Sequence, residues 1–252
     1  MEDLSYITLA AYAAIIFLAG LIHGTLGLGF PLVATPLLAL FTDVRTAILI
    51  TLLPTASVNV VSILKGGRWS ESIGRFWPLA LFAVLGSIAG TRLLVASDPA
   101  PFKLLLAALV LLYLSASRIK AFRMRWASEH LVLSMVVFGV IAGVAAGTTN
   151  VMVPILIIYT LELGLERTAM VQVFNLCFLA GKLTQIAVFA HAGMLTGSLL
   201  LSTSPLALVA VAALLGGMML AHRIPTEIYR NVVRRVLLLL ALLLVVQFFI
   251  QL

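Results

Sequence analysis

The chain has 252 residues, 63% of them hydrophobic and 10% charged, with a net charge of +7 and a mean hydropathy of +1.20. Soluble domains carry about a quarter charged residues, so this composition excludes one, and the apolar runs approach or exceed the roughly 20 residues that cross a bilayer. The reading is an all-α integral membrane protein whose Lys and Arg, gathered in short inter-helical segments, are topology signals rather than a surface for nucleic acid.

The opening MEDLSYITLA lacks the basic start and cleavage site of a signal peptide, so the first helix is expected to be retained. Five apolar segments follow in each half: 5–26, 30–42, 45–64, 76–96 and 101–118, then 130–147, 150–163, 167–190, 199–221 and 228–250. The second segment of each half is short. Phe30 to Phe41 spans only about 18 Å of helix against a hydrocarbon core of roughly 30 Å, which predicts a half-helix or one arm of a re-entrant hairpin.

A glycine-rich break precedes each short segment. Gly20 to Pro31 reads GLIHGTLGLGFP, and Gly139 to Pro154 reads GVIAGVAAGTTNVMVP. Glycine loses backbone entropy and proline lacks a donor, so both stretches are expected to interrupt the helix inside the membrane. Irregular backbone cannot face lipid, so each break must line a cavity or be packed in protein. Paired interruptions in two hydrophobic halves point to a transporter's binding site.

The halves echo one another in order: Gly20 and Gly24 in Gly139 and Gly143, Arg45-Thr46-Ala47 in Arg167-Thr168-Ala169, Gly67 in Gly193, and Pro99 in Pro225. This predicts two repeats, residues 1–120 and 121–252, forming one transmembrane domain. The basic link from Arg118 to Arg125 places the 118–130 region in the cytoplasm, together with Lys65, Arg68 and Arg75, and with His222, Arg223, Arg230, Arg234 and Arg235. The acidic N-terminus then falls outside, the His191 to Ser198 loop also lies outside, and the second repeat is inverted.

The broken first helix with GLGFP, the RTA after the short segment, the KGGRW turn and the second copy of this pattern resemble the sulfite exporter TauE/SafE family of membrane permeases over nearly the whole chain. The resemblance implies transport of a small sulfur-containing anion, such as sulfite, sulfoacetate or another sulfonate, across the cytoplasmic (cell inner) membrane. The chain departs from the family's glycine-richer break: the first copy has Gly27-Leu28-Gly29-Phe30-Pro31, and the second Gly147-Thr148-Thr149-Asn150.

Residues that could hold an anion are read from the chain itself. Lys182 lies about 13 Å from the helix end at His191, farther than a lysine stem readily reaches, so it is expected to face a polar interior and to have a partner. Asn175, Lys182 and Gln185 fall near one helix face, with Gln172 before them, and Thr51, Thr55 and Asn59 form the matching stripe in the first half. Half-helices starting after Gly29 and after Thr149 would offer amide donors and a positive dipole end, with Gly27 shaping the first break and Thr148, Thr149 and Asn150 adding side-chain donors at the second. His23, beside the first break, could donate a hydrogen bond or titrate. Ordinary interhelical hydrogen bonding is the competing explanation for the polar stripes. Arg92 reads as a snorkelling side chain, and Gly86, Gly90 and Gly216-Gly217 as close helix packing.

No phosphate-cradling loop, metal-ligand set, cysteine cluster or nucleophile with a nearby base is present, which argues against an enzyme and against a cofactor or metal. Cys177 is the single cysteine and reads as packing. A secondary transporter with a midplane site is the leading reading; a passive anion channel and a non-transporting membrane subunit are the alternatives. Proton or sodium coupling and a homodimer both stay open.

Overall fold

The computed structural model describes residues 6–67, 69–116, 125–221 and 226–250. Among them there is no strand. The elements are α1 (Tyr6–Leu26), α2 (Phe30–Ala39), α3 (Val44–Gly66), a π-helical turn (Ser70–Gly74), α4 (Arg75–Ala96), α5 (Pro101–Ala116), α6 (Arg125–Glu129), α7 (Leu131–Thr149), α8 (Val153–Glu162), α9 (Arg167–His191), α10 (Gly197–Leu220) and α11 (Thr226–Ile250). Seven of these segments are long and apolar enough to cross a membrane, and α2, α5 and α8 are shorter apolar helices. The expected segments therefore appear with boundaries displaced by a few residues. The π-helical turn and α6 are additions that no apolar run announced. The basic residues Arg68, Arg118, Lys120 and Arg123 and the His222, Arg223 and Pro225 positions lie outside the described residues.

The breaks are shorter than expected. α1 continues through Gly20 and Gly24 to Leu26, and α7 continues through Gly139, Gly143 and Gly147 to Thr149, so only residues 27–29 and 150–152 are non-helical. The five helical glycines serve contact instead. A Cβ on Gly20 would lie 2.8 Å from the Ala210 carbonyl of α10, and one on Gly139 would lie 2.8 Å from the Leu79 carbonyl of α4. Gly24 faces Leu214 and Gly217, while Gly143 and Gly147 face Ala83, Ser87 and Thr91. In lipid the helical hydrogen bonds have no water to replace them, and backbone-to-backbone packing supplies the remaining attraction.

These contacts pair α1 with α10 and α7 with α4, the first long helix of each half lying on the fourth of the other. α3 packs on α10, α9 packs on α4, and α3 and α9 meet between the two groups, while α5 packs on α11 at the edge. Partly buried caps fix the corners. Asp43 accepts from the Thr46 amide at 3.0 Å at the start of α3, and the Arg45 guanidinium donates to the Leu94 carbonyl at 2.7 Å and to the Ser97 carbonyl, closing the end of α4. Gly67 and Gly193, the echoed pair, both adopt positive φ, 75° and 68°, at or just beyond the ends of α3 and α9.

The glycine contacts discriminate between neighbours. A Cβ on Gly217 would lie 3.0 Å from Gly24 Cα, whereas one on Gly216 meets only a Leu21 methyl at 3.6 Å. Gly217→Ala should lower stability by about 1–3 kcal/mol through forced separation of α1 and α10. Gly216→Ala should leave it unchanged or slightly raised, as read by thermal unfolding of the purified chain in detergent.

Candidate anion site

Both short helices begin the same way, with proline as their second residue: Phe30-Pro31 in α2 and Val153-Pro154 in α8. Proline there removes a donor that an α-helix would in any case leave unpaired, and its fixed φ starts the helix sharply after the break. At the first break Gly27 and Gly29 have φ of 81° and 106°, which a side chain would strain. At the second, Asn150 takes the same left-handed turn at φ 66°, the one described non-glycine residue to do so, and its amide closes α7 onto the Ala146 carbonyl at 2.8 Å.

The first break is fastened by side chains from three helices. His23 Nδ1 accepts from the Phe30 amide at 3.3 Å, which puts the ring proton on Nε2, 3.2 Å from the Ser62 hydroxyl of α3. Asn175 donates from α9 to the Gly27 carbonyl at 3.3 Å. The start of α2, expected to offer a free amide donor, therefore has its first one taken by His23. Gln172, one turn earlier on α9, donates to the Ile63 and Gly67 carbonyls of α3 at 3.2 and 3.0 Å.

The second break is fastened in a different way. Asn150 donates to the Thr35 hydroxyl of α2 at 2.8 Å and to the Thr51 hydroxyl of α3 at 3.1 Å. Gln185 of α9 donates to the Ala146 carbonyl at 2.9 Å. The half-helix that was expected after Thr149 starts later, at Val153, and its Ile155 and Leu156 amides both turn back to the Met152 carbonyl. Thr148 and Thr149 are the last residues of α7. Their hydroxyls donate at 2.8 Å to the Val144 and Ala145 carbonyls of their own helix, as threonine in an apolar helix commonly does.

Gln172 meets the end of α3, while Asn150 and Gln185 join its first half to the later part of α9, so α3 and α9 run antiparallel with polar faces towards each other. The two breaks attach to α9 at Asn175 and Gln185, about 15 Å apart along the helix. Between them lies Lys182, 1% exposed. Its ammonium donates to Gln185 Oε1 at 2.6 Å, and no carboxylate lies within ion-pair distance of it among the described residues. No described Asp or Glu is buried at all. On α3, Asn59 is fully buried with neither side-chain atom hydrogen-bonded, and the buried hydroxyls of Thr55 of α3 and Thr91 of α4 also have no partner. Buried polar atoms in this state are rare, and Gln172 Oε1 and Asn175 Oδ1 on α9 share it.

The structure thus buries Lys182, Gln185, Asn59, Asn175, Thr148, Thr149, Asn150 and His23, and hydrogen bonds fasten His23 and Asn175 to the first break and join Asn150, Gln185 and Lys182 around the second. The polar stripes also contain Thr35, Ser62 and Thr91, which the sequence reading did not single out; Ser62 continues the Thr55–Asn59 stripe by one turn and could have been found there. A separate cavity of about 320 Å³, between α1, α3 and α10 and lined by Tyr12, Ile50, Met194, Thr203 and Leu206 among others, carries no charged residue.

The family model for the sulfite exporter TauE/SafE matches residues 12–246. The chain belongs to the TauE/SafE family. It is a multi-pass membrane protein of an anion-transporter family, and TauE/SafE proteins are transporters rather than enzymes. No curated protein and no solved structure matches the chain significantly. In this TauE/SafE chain the second break is built on side-chain amides and hydroxyls where the first is built on glycine.

Asn150 performs two tasks that substitutions separate. Asn150→Gly keeps the left-handed turn but loses the bonds to Thr35 and Thr51, and should destabilise by about 1 kcal/mol or more. Asn150→Ala loses the bonds and strains the turn, and should be the worse of the two by about 1 kcal/mol in thermal unfolding.

Proposed function

We propose that the chain is a secondary transporter of a sulfur-containing anion, sulfite, sulfoacetate or a related organosulfonate, which binds between α3 and α9 and crosses by alternating access. The observation that carries this is Lys182. A charged side chain inside the membrane costs about 2.5–3.5 kcal/mol on insertion scales and is kept with a counter-charge or for function. Lys182 has a neutral amide as its partner and no carboxylate, so a bound anion is the natural counter-charge. Asn59, Thr55 and Thr91 supply donors for its oxygens. The family membership favours sulfur oxyanions as the class.

The seam is closed at one end by Gln172 and Asn175 and at the other by Asn150 and Gln185. That double closure favours a carrier over a standing anion channel. The reciprocal pairing of α1 with α10 and α4 with α7, the matched prolines Pro31 and Pro154 and the matched turns at Gly67 and Gly193 support two inverted repeats, 1–120 and 121–252. Because glycine contacts bind helices of opposite halves together, the moving bodies are α1–α3–α10 and α4–α7–α9 rather than the two halves themselves. The site residues are Lys182, Gln185, Asn59, Asn175 and Asn150, with Gly27, Gly29 and His23 shaping the first break and Thr148 and Thr149 the second. The membrane is the cell inner membrane, with 118–130 cytoplasmic and the N-terminus outside. Proton or sodium coupling would have to act without a buried carboxylate among the described residues.

Proteoliposomes holding the purified chain should show saturable sulfite flux that is accelerated by unlabelled substrate on the far side, which a channel cannot produce. Lys182→Met should reduce that counterflow by about tenfold or more with unfolding temperature unchanged or raised, since it removes an unpaired buried charge. Unaltered flux in the variant would remove Lys182 from the site.

A further inference from the structure

The charge inventory of the interior bears on which ionic form the protein carries. We propose that the species held in the α3–α9 seam is a monoanion, an organic monosulfonate or hydrogen sulfite, and that the site rejects dianions such as sulfate, doubly deprotonated sulfite and sulfoacetate. This rests on the reading of Lys182 as the anion-binding cation, and narrows it.

Three described residues with basic side chains are buried, His23, Lys103 and Lys182. Lys103 belongs to a different part of the fold: it sits on α5 and donates to Gln247 of α11 at 3.1 Å, while Gln247 in turn donates to the Leu40 carbonyl at the end of α2. His23 uses Nδ1 to accept the Phe30 amide, so in this arrangement the ring is a neutral acceptor at the first break and not a second cation. Lys182 is therefore the one buried ammonium on α3 or α9 among the described residues, and the other buried polar groups of the two stripes, Thr51, Thr55, Asn59 and Gln185, are neutral. No buried carboxylate among the described residues offsets any of its charge.

Transfer of an ion from water into a medium of low dielectric costs free energy in proportion to the square of its charge, whereas attraction to one ammonium grows only in direct proportion. A dianion thus meets about four times the desolvation cost of a monoanion of the same size for about twice the attraction. The neutral donors reduce the cost for both but cannot supply the missing unit of charge. A monoanion beside Lys182 leaves the closed seam neutral overall, which is the state that can be shut off from water at both ends. A dianion would leave one uncompensated charge there.

The test compares methanesulfonate and sulfate binding to the purified full chain in detergent by calorimetry. Methanesulfonate should bind at least about tenfold more tightly than sulfate, and Lys182→Gln should abolish binding. Asn59→Lys, which adds a second ammonium on the facing helix, should narrow or reverse the preference; the wild-type comparison decides the matter even where that variant does not fold. Equal or tighter sulfate binding by the wild type, lost in Lys182→Gln, would overturn the monoanion inference while leaving the site in place. Binding of either anion that Lys182→Gln leaves intact, or no binding of either, would overturn the site and the inference together.

Discussion

Inside a bilayer every backbone amide and carbonyl has to find its partner within the protein, and that requirement shapes the whole molecule. Two interruptions of three residues each, 27–29 and 150–152, place unpaired backbone groups at depth. Each is fastened by side chains: His23 of α1 and Asn175 of α9 hold the first, while at the second Gln185 of α9 holds the end of α7 and Asn150 reaches out to Thr35 and Thr51. Six residues of irregular chain thereby oblige α3 and α9 to carry polar faces. Since those faces cannot meet lipid, the two helices must lie against each other, and the remaining helices are left to enclose them.

The enclosure depends on residues with no side chain. α1 reaches α10, and α7 reaches α4, with backbone atoms in direct contact through Gly20, Gly24 and Gly217 on one side and Gly86, Gly90, Gly139, Gly143 and Gly147 on the other. Apolar side chains gain little by leaving lipid for protein, so close backbone approach and dispersion hold these pairs. The polar seam is different in kind. Its hydrogen bonds are few and directional, and they can be exchanged for bonds to a ligand. The proposed alternating access would use this difference, with the polar bonds exchanging while the backbone-packed pairs α1–α10 and α4–α7 stay together.

Much of this was legible in the sequence, for reasons that also explain what was not. Segment lengths and the shortness of α2 and α8 follow from hydrophobic runs and from the FP and VP starts, and the buried lysine was visible as a charge in the middle of an apolar stretch. The helical glycines were misread because an intrinsic penalty near 1 kcal/mol per glycine, measured in water, was taken to decide the conformation. In lipid the loss of the helical hydrogen bonds is the larger cost, so Gly20, Gly24 and Gly139 stay helical. Thr148 and Thr149 look like donors in sequence, but they satisfy carbonyls one turn back, and only a structure shows where a hydroxyl points. The capping of α2 by His23, seven residues upstream, depends on the direction in which the chain turns at Gly27 and Gly29, and no local pattern encodes that. Gly67 and Gly193, which echo each other in sequence, both take positive φ, a backbone conformation that restricts the residue type at each place.

The asymmetry between the two breaks carries the last step of the argument. The first is glycine-based and is fastened mainly through backbone atoms, Phe30 N and Gly27 O, so any motion there requires the chain itself to rearrange. The second is fastened through the Asn150 side chain to the hydroxyls of Thr35 and Thr51, contacts that can be released by rotamer change while the helices remain whole. Gln185 joins this end to Lys182, because its Oε1 accepts from the ammonium while its Nε2 donates to Ala146. An anion that draws the ammonium away from Gln185 thereby perturbs the one side chain that links the charged centre to the end of α7. The charge and the second break share a hydrogen-bonded chain of two residues, whereas the first break has no such link to Lys182 among the described hydrogen bonds. On the proposed reading of Lys182 as the anion's counter-charge, occupancy would be felt first at the Asn150 end.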